Sequence, residues 1–71
     1  MKDYNTYYII TRYKTEKRYK AFTDTYDGYT KQEAIEAWRR DNEYAIAHQE
    51  ARIGNIYIER NGRWEEVGFE E

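Results

Sequence analysis

The groups in this chain that could do chemistry are few: one imidazole, a pair of carboxylates beside a glycine, and a cluster of cations interleaved with tyrosine. The imidazole is His48, on a helical stretch beside Tyr44. General-base work would need a pocket around it and an orienting partner. A domain of 71 residues rarely encloses a pocket of the ~300 Å³ or more that ligand sites occupy. Serine and cysteine, the usual nucleophiles, are absent. A partly exposed helical histidine is the plainer reading, and no enzymatic activity is expected. The carboxylate pair sits in Asp24-Thr25-Tyr26-Asp27-Gly28. It lacks the alternating ligands and terminal Glu of a calcium loop, so it reads as a turn whose Asp side chains cap backbone groups. The four glycines stand apart at 28, 54, 62 and 68, which leaves no phosphate-cradling loop. No metal and no cofactor is expected.

The cation cluster is more informative. Arg12, Lys14, Lys17, Arg18 and Lys20 fall close together, with Tyr13 and Tyr19 between them. Cations neutralise phosphates and rings stack on unpaired bases, so single-stranded nucleic acid is one partner class for this segment. The plainer reading is that the charges solubilise an edge hairpin. Overall charge is −2, which excludes a simple basic nucleic-acid binder. Residues 1–30 carry a net +2 and the remainder −4, so a basic hairpin tip and an acidic C-terminal edge are expected.

A second surplus is aromatic. Nine of the residues are Tyr, and Leu, Ser, Pro and Cys are missing. Tyr joins an apolar ring to a wet hydroxyl, and with Trp and Arg it is enriched at binding hot spots. A core this thin cannot hide nine such rings. A protein partner therefore becomes the leading expectation. The residues assigned to it are Tyr7, Arg12, Tyr13, Lys17, Arg18 and Tyr19 on the first hairpin and Tyr44 on the helix. Ala37, Tyr44, His48 and Ala51 form a further helical stripe that would suit a homodimer. No apolar run approaches a membrane span and no signal peptide is visible, so a cytoplasmic protein is expected.

These groups must be positioned by one domain. Residues 4–13 and 18–26 are dense in aromatic and β-branched types and read as a strand pair. A Thr15-Glu16 turn would set Ile9 opposite Phe22, and a turn one residue longer would set Ile10 there. Thr30-x-x-Glu33 is a capping box, with Tyr29 before it as a hydrophobic staple. The helix it opens is predicted to run from Lys31 to about Ile53 and to stop at Gly54-Asn55. Ala34, Ile35, Trp38, Ala45, Ile46 and Ile53 share one arc of that helix, with Trp38 as core anchor. Asn42 interrupts the arc, so a break at Asp41-Asn42-Glu43 is the alternative. Asn61-Gly62 between Ile56–Arg60 and Arg63–Val67 is a strong hairpin signal. A two-residue turn pairs Ile56 with Val67 and Glu59 with Trp64, and gathers Ile56, Ile58, Val67 and Phe69 on one face. The expected fold is α+β, ββαββ: two hairpins in a single antiparallel sheet, with one long helix across one face.

Residues 22–35, from Phe22 through Tyr29-Thr30-Lys31-Gln32-Glu33-Ala34-Ile35, resemble a pattern of small phage and mobile-element accessory proteins, where a strand leads to Tyr-Ser/Thr-Lys-x-Glu-Ala-Ile and a helix. The resemblance implies a small protein acting inside a bacterial cell by binding a host protein. Some proteins of that kind block host defence nucleases, including CRISPR effectors. It carries no site residue, and it does not reach the second hairpin.

Overall fold

The computed structural model describes residues 4–68. Six elements follow in order: β1 Asn5–Lys14, β2 Tyr19–Tyr29, α1 Lys31–Asp41, α2 Glu43–Ala47, β3 Ala51–Arg60 and β4 Arg63–Val67. The strands form one antiparallel sheet in the order β2-β1-β3-β4. The α+β class and the single four-stranded sheet therefore match expectation. The single long helix does not.

Helix α1 starts where the capping box places it. The Thr30 hydroxyl accepts from the Glu33 N–H at 3.2 Å, and the Glu33 carboxylate accepts from the Thr30 N–H at 3.1 Å. Tyr29 packs against the core beside it. The helix ends at Asp41 because Asn42 is turned inward. Its amide donates to the Trp38 carbonyl at 2.9 Å, and its oxygen accepts from the Tyr13 hydroxyl at 2.6 Å. A side chain tied at once to the preceding turn of α1 and to Tyr13 on the sheet fixes the local backbone, and a second short helix begins at Glu43.

That second helix stops well before Gly54. Gln49 takes the left-handed conformation at φ 58°. Its N–H reaches the Ile46 carbonyl, and the Glu50 N–H reaches that of Ala45. Those two bonds make a Schellman stop. Glycine usually fills this position, since a side chain there costs roughly 1–2 kcal/mol. A glutamine in that role hid the helix end from the sequence. Ala51, Ile53 and Gly54 accordingly belong to β3, not to a helix. Gly54 is the extra residue where the β1–β3 register shifts between Ile10↔Asn55 and Thr11↔Ile53.

The first hairpin pairs Lys14 with Tyr19 and Thr11 with Phe22. Residues 15–18 form its loop, longer than either expected turn, so neither Ile9 nor Ile10 meets Phe22. The second hairpin has the expected register, Ile56↔Val67 and Glu59↔Trp64. Asn61 and Gly62 both have positive φ, 52° and 77°, as a tight two-residue turn requires. Ile56, Ile58 and Val67 share the helix side. Phe69 lies outside the described residues.

The core lies between α1 and one sheet face. It comprises Tyr7, Ile9, Tyr26, Ala34, Ile35, Ala37, Trp38, Ile56 and Ile58, with Ile46, Ile53 and Val67 packed against it. Trp38 anchors it, and its indole N–H donates to the Thr11 hydroxyl at 2.8 Å. Thr11 is fully buried and donates in turn to Asp24 Oδ2 at 2.8 Å. A buried indole N–H, a buried hydroxyl and a half-buried carboxylate thus satisfy one another in a line, as burial of polar groups demands.

Candidate functional site

Strand alternation divides the sheet into two unlike faces. Tyr7, Ile9, Thr11 and Tyr13 of β1 point to the helices, while Tyr8, Ile10, Arg12 and Lys14 point away. The register carries this outward set across the sheet: Tyr8 is opposite Thr25 and Tyr57, and Arg12 is opposite Ala21 and Arg52. Tyr57 is in turn opposite Glu66, and Trp64 is opposite Glu59. Among the described residues, no helix covers this outer face.

One end of it is aromatic. The Tyr8 and Trp64 rings stack with centroids 3.9 Å apart and planes 12° from parallel. Tyr57 lies 5.8 Å from Trp64. Carboxylates surround the rings. The Tyr8 hydroxyl donates to Glu59 at 3.0 Å, Asn55 donates to Glu66 at 2.9 Å, and Thr6 donates to Asp27 at 2.6 Å. The hydrogen bond to Glu59 raises the Tyr8 pKa above the ordinary phenol value, with partial desolvation and the Glu59 and Asp27 charges adding to it.

The other end is basic. Arg12, Lys14 and Arg52 are exposed there. The Arg52 guanidinium lies 5.9 Å from the Tyr19 ring centroid, within cation–π reach. Arg12 lies flat over Gly54: a Cβ on that glycine would come within 2.6 Å of its Nε. A side chain at position 54 would lift Arg12 off the sheet.

The residues expected to bind a partner are thereby separated. Arg12 and Tyr19 share the bare face, and Lys17 and Arg18 extend its basic end through the hairpin loop. Tyr7 is 5% exposed and sits in the core. Tyr13 points to the helix side, bonds Asn42 and meets the Phe22 ring edge-on at 5.6 Å. Tyr44 is 75% exposed, but on α2, across the sheet from this face, with its ring 4.2 Å from His48. The stripe Ala37–Tyr44–His48–Ala51 is not one surface. Ala37 is buried in the core, and Ala51 begins β3. Sequence reading missed Tyr8, Tyr57 and Trp64 as a group. They come from three strands, and only the two registers together bring them into contact.

An open apolar hollow of about 590 Å³ lies between the helices and the start of β3, lined by Ile35, Trp38, Ile46, Ala51 and Ile53 together with Arg39, Glu43 and Arg52. His48 is not among its lining residues, so it gives the imidazole no enclosure. Among the described residues, no cluster of His, Cys, Asp or Glu could hold a metal ion, and no helix is long and apolar enough to cross a membrane. Comparison with protein-family models, with curated proteins and with solved structures finds no match.

Proposed function

We propose that this protein is a small non-enzymatic binding domain that engages a protein partner through the bare face of its sheet. One observation carries the reading. The helices cover one sheet face, and the opposite face keeps a stacked Tyr8–Trp64 pair beside Tyr57, with Tyr8 and Tyr57 half-buried and Trp64 exposed. Trp64 remains 49% exposed even in that stack. Large aromatic groups left outside a small core are what hot spots are made of. The charge distribution supports a protein rather than a nucleic acid. Base stacking works beside cations that hold the phosphates, whereas here Glu59, Glu66 and Asp27 stand beside the rings. A partner with an apolar centre, a basic patch facing the rings and an acidic patch facing Arg12, Lys14 and Arg52 fits both poles.

The binding residues in this reading are Tyr8, Tyr57 and Trp64, with Arg12, Tyr19 and Arg52 at the basic pole. The resemblance over residues 22–35 suggests a concrete form, a phage-type accessory protein acting on a host defence protein in a bacterial cell. The test is affinity purification from bacterial lysate with and without nuclease, by the parent and by Trp64→Ala. The expected result is a protein retained after nuclease and lost with Trp64→Ala. Retention that depends on nucleic acid would instead leave the basic hairpin as a strand binder.

A further inference from the structure

We propose that β2 pairs antiparallel with β2 of a second copy, about a two-fold axis at Phe22, joining two four-stranded sheets into one continuous sheet. β2 is an edge strand, eleven residues long, and among the described residues no strand pairs with its outer side. Long bare edges are templates for pairing, and proteins normally shorten or blunt them. The opposite edge, β4, is short, with Glu65 and Glu66 adjacent. β2 is neither short nor covered. Residues Tyr19 to Thr23 are all exposed, and Phe22 has 53% of its surface in solvent. Phe22 points to the helix side yet reaches only the edge of the Tyr13 ring.

Charge selects the occupant and the register. Directly opposite residues of an antiparallel pair lie on one face, so β2 can meet its own copy only in registers of even sum. Centring on Phe22 places Phe22 against Phe22 and Lys20 against Asp24, twice by symmetry. Centring on Asp24 would oppose two like carboxylates. Centring on Thr23 would set Phe22 against Asp24. Thr11 already fixes the Asp24 carboxylate through Oδ2, so that charge is held on the Lys20 side of the sheet. Lys20 and Asp24 flank Phe22 symmetrically with opposite signs, so charges that blunt this edge toward other strands attract one another in this one register. Such a dimer leaves both copies' aromatic faces open.

The chain has no cysteine, so single cysteines report the register cleanly. Under mild oxidation, Phe22→Cys should form a disulfide-linked dimer and Thr25→Cys should not. Because Phe22→Cys removes the central ring, Ala21→Cys mixed with Thr23→Cys is the second probe, and the mixture should cross-link more than either alone. Sedimentation of the parent should show a concentration-dependent dimer. Lys20→Glu, which turns both attractive pairs repulsive, should weaken it about tenfold. A parent that stays monomeric overturns the proposal. So does a dimer indifferent to Lys20→Glu, or cross-linking at Thr25→Cys that equals Phe22→Cys.

Discussion

Tyr8 and Trp64 stack at 3.9 Å although they belong to β1 and β4, strands that are not neighbours. The contact passes over β3, beside Tyr57, so it ties the second hairpin to the first across the bare face. Replacing Trp64 by Ala removes two aromatic contacts, to Tyr8 and Tyr57, each worth about 0.5–1.5 kcal/mol. Thermal unfolding should therefore move down by several degrees while the circular-dichroism spectrum keeps its folded shape. Partner affinity should fall much further, by the ~2 kcal/mol or more of a hot spot, about thirtyfold in Kd.

Thr11 is the pivot of the buried line from Trp38 to Asp24. Thr11→Val keeps the shape but leaves the indole N–H and the carboxylate without their shared hydroxyl. Stability should fall by about 1–3 kcal/mol, measured by urea unfolding. A variant as stable as the parent would show that water satisfies the indole instead.

Asn42 breaks the helix by bonding inward to Trp38 and Tyr13. Asn42→Leu would complete the apolar arc, yet it should destabilise by about 1–3 kcal/mol because the Tyr13 hydroxyl loses its acceptor. Tyr13→Phe should recover part of that loss in the Asn42→Leu background. The double-mutant cycle measures the coupling.

Tyr26 is buried, and its hydroxyl donates to Asp41 at 3.2 Å. Burial first, and the Asp41 hydrogen bond second, raise its pKa well above the phenol value of 10.0. A folded-state pKa above the unfolded one gives stability that is complete below about pH 10 and is lost as pH rises beyond it. Stability should therefore decline on the alkaline side, and Tyr26→Phe should flatten that decline. Denaturant unfolding between neutral pH and pH about 11 checks it.

The parts of this fold legible in the sequence are those written by local rules. The capping box at Thr30 and Glu33, the Asn61-Gly62 turn and the register it sets each depend on a few adjacent residues. The parts that were not legible depend on distant partners. Gln49 ends α2 in a conformation normally given to glycine, so local signals carry the helix about six residues too far, to Ile53. At Asn42 the sequence offers the break between the two helices as an alternative, but not its cause, because the partner Tyr13 lies on β1. The candidate face was hidden for the same reason. Tyr7, Ile9 and Thr11 pack against the helices, which turns Tyr13 inward and Tyr8 outward, and the β1–β3 and β3–β4 registers then gather Tyr57 and Trp64 beside Tyr8.

The bare sheet face is the centre of the account, and substitutions on opposite sides of the molecule test it most directly. Binding of the captured partner should be measured by calorimetry for the parent, Trp64→Ala and Tyr44→Ala. The prediction is a loss of about tenfold or more with Trp64→Ala and parental affinity with Tyr44→Ala, which alters the far side. Parental affinity for Trp64→Ala with a loss for Tyr44→Ala would place recognition on the helix side and contradict the account.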